Sequence, residues 1–268
     1  MVGQAGRVDR AGRRAGVTVF LFVVFAFYLP DLPGLPGLPD LPGLPGLPGL
    51  PGLSAAQRPP QPSKSEQRLF QPQDLGLLEA PDRDQWQKPD QIMDAIGVAE
   101  GSTVAELGAA GGWFTLRLAR RVGPNGLVYA EDIQPPMLEA INRRMQNENL
   151  SNVKTVLGTP SDPRLPEGLD AVLIADAFHE MDDPAEPTLI VTLLKNVARS
   201  LKPQGRLGVV DWTPGNGGPG PEAKQRVLPD TVIAAAQSAG LVQVGRDEYP
   251  PFVYVLVFAR GTATPRQP

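Results

Sequence analysis

Two carboxylates, Glu106 and Asp132, flank a run of small residues in a way that suits a nucleotide-sized ligand. Glu106 lies in the mostly apolar run Thr103-Val104-Ala105-Glu106-Leu107, and the chain then passes through Gly108-Ala109-Ala110-Gly111-Gly112 into Trp113-Phe114-Thr115. Small residues permit close backbone approach, and a helix opening directly after them offers unpaired N–H groups. Asp132 follows a second apolar run, Leu127-Val128-Tyr129-Ala130. It stands twenty positions after Gly112, where a carboxylate that grips ribose is expected. These residues predict a nucleoside-cofactor site. A plain strand-to-helix turn is the competing reading of the loop taken alone.

Spacing separates the cofactors. A dinucleotide site needs Gly-x-Gly-x-x-Gly; counted from Gly108, this chain has Ala110 and Trp113 at the second and third places, and an indole opposes close helix–strand packing there. Glu106, two residues before the first glycine, is suited to a cationic ammonium. The pattern Glu106-x-Gly108-x-Ala110-x-Gly112 resembles the first motif of class I S-adenosylmethionine-dependent methyltransferases, with Ala110 where that family usually has glycine. The resemblance extends over about residues 66–260. Within Val128–Ile133, Asp132 corresponds to the acid that holds both ribose hydroxyls. Glu131 is adjacent, and strand alternation lets only one of the two face the pocket; the resemblance selects Asp132. Gly158–Pro163 resembles the loop over the adenine, where Asp162 either accepts from the adenine amino group or stabilises a turn before proline. Leu201-Lys202-Pro203-Gln204-Gly205 resembles the turn into the fifth strand, with Gly205 available for a positive backbone angle. The resemblance thus implies S-adenosylmethionine as cofactor, bound by Glu106, Gly108, Ala110, Gly112, Asp132, Ile133, Asp162 and Asp176.

The reacting end falls after the fourth apolar run, at Asp176-Ala177-Phe178-His179-Glu180. In the family the place of Asp176 often carries an acid or amide near the transferring methyl. His179 is the only histidine of the chain. Its imidazole, with an ordinary pKa near ~6.5, suits removal of a proton from a hydroxyl or amine; shaping the loop through a backbone carbonyl is the equal alternative. Asp176 and His179 are therefore the catalytic candidates. Glu180 either orients His179, binds a cationic substrate or is a solvated carboxylate. Upstream, Leu78–Pro89 corresponds to a lid in similar small methyltransferases, with Arg83 and Trp86 as ligand-touching candidates and simple packing as the alternative. Gly215–Pro221 reads as a flexible segment on the acceptor side.

Positioning these residues requires an alternating architecture. Thr103–Leu107, Leu127–Glu131, Val153–Leu157, Ala171–Ala175 and Arg206–Asp211 read as strands buried on both faces. Trp113–Val122, Pro135–Asn147, Pro187–Leu201 and Pro229–Ala239 read as the helices between and after them. Leu241–Arg246 and Phe252–Ala259 read as a closing hairpin. The fold class is α/β: a three-layer, Rossmann-like, seven-stranded sheet, mostly parallel, with a C-terminal antiparallel hairpin.

Of the 268 residues, 25 are Lys or Arg and 29 Asp or Glu, with no basic run, so a nucleic-acid surface is not expected. There are no cysteines, which excludes disulfides and thiolate chemistry, and a single histidine excludes a multi-histidine metal site. Three domains are expected: a signal-like or anchor segment over 1–29, a Leu-Pro-Gly low-complexity linker over 30–56, and the methyltransferase domain over 57–268. The first rests on Arg7, Arg10, Arg13 and Arg14 before the apolar stretch Val17–Leu29. The second reads as an extended polyproline-like spacer rather than a collagen segment. Periplasmic, secreted or membrane-anchored placement follows if that N-terminal segment is real, with membrane contact through it alone; a start downstream would make the protein cytoplasmic. The functional expectation is direct in-line methyl transfer to a small-molecule acceptor. The rival is an extracytoplasmic binding module that keeps the fold without turnover.

Overall fold

The computed structural model describes residues 69–215, 217–249 and 251–261. The signal-like segment, the Leu-Pro-Gly linker and the domain boundary at residue 57 lie outside them. Among the described residues no helix is long and apolar enough to cross a membrane.

Seven strands form one sheet in the order β3-β2-β1-β4-β5-β7-β6. They are β1 (Thr103–Leu107), β2 (Leu127–Asp132), β3 (Val153–Leu157), β4 (Leu169–Ala175), β5 (Leu201–Trp212), β6 (Leu241–Tyr249) and β7 (Val253–Arg260). The pairs β1–β2, β1–β4, β2–β3 and β4–β5 are parallel, and β7 runs antiparallel to both β5 and β6. This is the expected seven-stranded, hairpin-closed α/β sheet.

Period-two alternation splits the buried side chains between two helical layers. Val104, Val128, Ala171, Leu173 and Val210 pack with α2 (Pro89–Ala95) and α3 (Trp113–Val122). Ala130 joins α4 (Pro135–Asn147) on that side through Ile141 and Met145. Ala105, Leu107, Val172, Ile174, Leu207 and Val209 face the opposite layer, α6 (Pro187–Ser200) and α7 (Pro229–Ser238). Two short helices, α1 (Arg83–Gln87) and α5 (Phe178–Met181), belong to the site rather than to a layer. Proline opens α2, α4, α6 and α7, where its missing N–H costs no intrahelical bond.

One departure lies at β5. The Leu201–Gly205 turn is drawn into the strand: Leu201 pairs with Leu169 and Arg206 with Ala171, with a shift in register between them. Gly205 is not in the left-handed region. A Cβ there would stand 2.8 Å from the Leu169 carbonyl oxygen, so close backbone approach, not a positive angle, is what calls for glycine.

Strand order reverses between β1 and β4. The loops after these strands therefore part to opposite faces, leaving a crevice at the strands' carboxyl ends, the place where open α/β sheets take ligands.

Candidate functional site

A cleft opens at that switch point. Its floor is the loop after β1, where Gly108 (φ 66°), Ala110 (φ 46°) and Gly112 (φ 77°) all adopt left-handed backbone conformations. Gly108 is required twice over, because a Cβ there would also lie 2.7 Å from the Ala177 Cβ. Gly108, Ala109, Ala110 and Gly111 line the cleft, and Gly112 does not. Gly112 serves instead as the N-cap of α3, turning the chain so that Trp113 and Phe114 face the hollow.

Glu106 and Asp132 line this one hollow together. Glu106 is buried and accepts a 2.5 Å hydrogen bond from the Thr115 hydroxyl on α3. Burial pushes its carboxyl up to about 8, against the opposing pull of Thr115 and Arg83. Asp132 is tethered by its own surroundings: Oδ2 accepts from the Ala110 N–H and Oδ1 from the Gln134 N–H, each at 2.9 Å. Burial still raises its pKa.

Glu131 corrects the alternation argument, because it lines the cleft alongside Asp132. The strand ends at these residues and its pleat no longer decides direction. Glu131 accepts from the Gly108 N–H, and burial pushes its carboxyl up to about 8. Its side chain occupies the space that a Cβ on Gly158 would need.

Asp162 stays outside. Its carboxylate accepts from the Arg164 N–H at 2.9 Å while its backbone pairs with Thr159; Thr159 and Pro160 are the loop residues that reach the cleft. Ile133 does line the cleft, next to Gln134 and Met137. The Gly215–Pro221 segment contributes nothing to the lining among its described residues.

At the other end, Asp176 (φ 56°) follows β4 and lines the cleft. Its Oδ2 pairs with Arg83 at 2.6 Å and its Oδ1 accepts from Gln87 at 3.0 Å. Burial raises its pKa, opposed by Arg83 and Gln87. His179 does not line the cleft. Its ring Nδ1 lies 3.1 Å from Asp211 Oδ1, and its backbone N–H donates to Asp211 Oδ2 at 3.0 Å. Burial opposes a charge on this ring, but the Asp211 hydrogen bond and the carboxylates of Asp211, Glu180 and Asp176 outweigh it, so its pKa is raised. Glu180, one residue on, does line the cleft.

The segment before α1 covers the hollow. A 3-10 helix, Pro72–Leu78, lays Leu75 against Gly111. Phe70 donates its N–H to Glu180 at 3.0 Å and receives the Gln134 side-chain amide on its carbonyl, also at 3.0 Å. Glu79 pairs with Arg144. Arg83 stacks on Trp113, 4.0 Å from the ring centroid, with Arg117 at 3.5 Å. Arg83 lines the cleft. Trp86 instead packs on Trp212 and Phe252, with ring centroids 5.4 and 5.8 Å away.

Sequence reasoning passed over Thr115, Gln87 and Asp211 as site residues. Asp211 had a signal: Val209-Val210-Asp211 repeats the pattern of a carboxylate after an apolar run that singled out Glu106. Gln87 sits four residues after Arg83, one helical turn on, where its side chain meets the same partner.

The amino-acid sequence over residues 104–205 matches the family model described as a methyltransferase domain. Among curated relatives, nocamycin O-methyltransferase of Saccharothrix syringae is 30% identical over 126 residues, which is 46% of this chain and 42% of that protein. Ubiquinone/menaquinone biosynthesis C-methyltransferase UbiE of Pasteurella multocida is 30% identical over 123 residues, 45% of this chain and 44% of that one. The chain thus spans less than half the length of these relatives. Among solved structures, a SAM-dependent methyltransferase from Aquifex aeolicus superposes with a TM-score of 0.65 at 25% identity, covering 71% of this chain and 98% of the other.

Proposed function

We propose, since residues 104–205 match the methyltransferase-domain model and the fold superposes on a SAM-dependent methyltransferase, that this protein transfers the methyl group of S-adenosylmethionine to a small-molecule acceptor. The observation that carries the reading is that Glu106 and Asp132 line one hollow on either side of the Gly108–Gly111 crest. Buried carboxyls raised by desolvation suit a positively charged ligand, whose ammonium and sulfonium favour their ionised forms. In this reading Glu106 receives the ammonium, Asp132 the ribose hydroxyls, and Ile133, Met137 and Pro160 the flat apolar base. When bound, the cofactor supplies an activated methyl on a sulfonium. The protein's part is to hold donor and acceptor in line and keep water out.

A small acceptor is supported by the enclosure of the cleft beneath residues 69–83 and by the small molecules named in the two relatives. Apolar residues, Met181, Leu189 and Leu193, wall the end beyond Asp176. The test is calorimetric titration of the full chain with S-adenosylmethionine, with NADH in parallel, followed by transfer of labelled methyl to a panel of phenols and quinols. Binding of S-adenosylmethionine together with transfer supports the proposal. Binding without transfer to any acceptor favours a module without turnover, and absence of binding overturns the cofactor assignment.

A further inference from the structure

Behind the cleft wall stands a second arrangement. Asp211 is completely buried at the end of β5 and accepts three N–H groups: those of the His179 backbone, the Trp212 backbone and the His179 ring. Because a carboxylate only accepts, the ring proton is assigned to Nδ1, and Nε2 is the ring nitrogen turned toward Glu180. That Nε2 faces Glu180 Oε1 at 3.9 Å, a gap that a small rotamer change or one water closes. Glu180 alone of the three reaches the cleft.

We propose that Glu180 is the proton-accepting residue for the methyl acceptor, and that Asp211 and His179 are positioning residues which draw that proton onward. The inference rests on the methyl-transfer reading above. The acceptor class it implies carries a proton on its attacking atom, a hydroxyl or an amine. As the new bond to the methyl carbon forms and the carbon–sulfur bond breaks, the acceptor's proton passes to the Glu180 carboxylate, and the sulfur leaves as a neutral thioether. Glu180 then yields the proton to His179 Nε2, giving an imidazolium paired with Asp211, which releases it to solvent between turnovers. The sequence conserves charge at every step.

Glu180 is also tied to the cover. Its Oε2 accepts from the Phe70 N–H, so the segment that closes the cleft sets the direction of the carboxylate. The charged groups facing it are His179 on its own helix, Asp132 from the end of β2 and Asp211 from β5; His179 additionally senses Asp176. Burial and the two aspartates favour proton uptake by Glu180, while His179 and the Phe70 N–H oppose it.

His179 is the chain's only histidine, so one imidazole resonance reports on the relay. NMR titration of the intact protein is expected to give a pKa above ~6.5 for this ring, and Glu180→Gln, which still accepts from Phe70, lowers it by about half a unit or more. Glu180→Gln leaves S-adenosylmethionine affinity within about threefold yet reduces kcat toward a hydroquinone probe by about 100-fold, the range of general-base loss. His179→Gln lowers kcat less and displaces the acid limb of the pH profile, a change that a purely structural ring would not produce. A histidine titration unmoved by Glu180→Gln overturns the relay even where no acceptor is turned over. Unchanged kcat in Glu180→Gln overturns it equally. Failure of the unsubstituted protein to bind S-adenosylmethionine sinks the methyl-transfer reading instead, and the imidazole titration still judges the coupling.

Discussion

Glu106, Glu131 and Asp132 put three buried acids in the lining of one cleft, and their hydrogen bonds come mostly from the backbone and a hydroxyl rather than from cations. With Glu106 raised to about 8, its carboxyl is largely protonated at neutral pH. An arriving ammonium reverses that preference. Binding of S-adenosylmethionine near pH 7 is therefore expected to release a proton, seen as a dependence of calorimetric enthalpy on the ionisation enthalpy of the buffer. Glu106→Gln reduces that dependence, leaving the share that belongs to Glu131, and weakens binding by about tenfold, equivalent to one pKa unit of differential interaction. A buffer-independent enthalpy in the unsubstituted protein would remove Glu106 from the ammonium site. Gly158 offers a separate handle, since a Cβ there overlaps the Glu131 carboxylate. Gly158→Ala should expel Glu131 from its Gly108 contact and raise the Kd for S-adenosylmethionine by about tenfold, roughly the worth of one charge-assisted hydrogen bond. Unaltered affinity would show that Glu131 has no part in the ligand's seat.

At the scale of elements, the cover formed by residues 69–87 is held, among the described residues, by one buried ion pair and two partly exposed ones. Arg83 and Asp176 are both nearly inaccessible, whereas the Arg117–Asp84 and Arg144–Glu79 pairs are partly solvated and contribute little. Removing one member of a buried pair strands the other's charge. Arg83→Ala is expected to lower stability by about 3 kcal/mol in urea denaturation, and the double change Arg83→Gln with Asp176→Asn to cost much less than the sum of its singles. Additive costs would mean that the pair is not coupled. This latch was only half legible in the sequence. Arg83 stood out as a charged residue ahead of the first helix, and Asp176 as an acid after an apolar run, but nothing in spacing joined residues 93 positions apart. The regular elements were more legible: β1, β3, α3 and α4 begin and end at the expected residues, because apolar runs, proline starts and glycine stops leave few alternatives, although β3, expected to be buried on both faces, is an edge strand with Lys154 and Thr155 in it and no fully buried residue. Side-chain direction at strand ends was not legible. Glu131 enters the cleft and Asp162 does not, and both outcomes depend on loop backbone angles that no periodicity encodes. His179 was recognisable as chemistry, yet its distance from the cleft was not, since that is set by Asp211 on another strand.

For the molecule as a whole, the raised carboxyls give stability an inverted dependence on pH. Glu106 and Glu131 hold protons in the folded state up to about 8, whereas in the unfolded chain they release them near their ordinary value of 4.5. Between those limits the folded state binds more protons, so stability falls as pH rises. Asp132, Asp176 and Glu180 shift in the same direction. His179 adds to the trend, because its raised pKa contributes stability below the unfolded value that is lost as pH climbs through the folded one. Each pKa unit is worth about 1.4 kcal/mol, or roughly 3–6 °C in Tm for a domain of this size. Ligand-free protein is thus expected to melt highest near pH 5 and several degrees lower by pH 8. A cationic ligand prefers the ionised carboxylates, so the stabilisation conferred by S-adenosylmethionine should grow over the same interval. Calorimetric scans at matched ionic strength, with and without saturating ligand, measure both slopes. A ligand-free Tm that rises from pH 5 to pH 8 would mean that these acids are already ionised in the folded protein, and with that the electrostatic case for a cationic cofactor in this cleft would be lost.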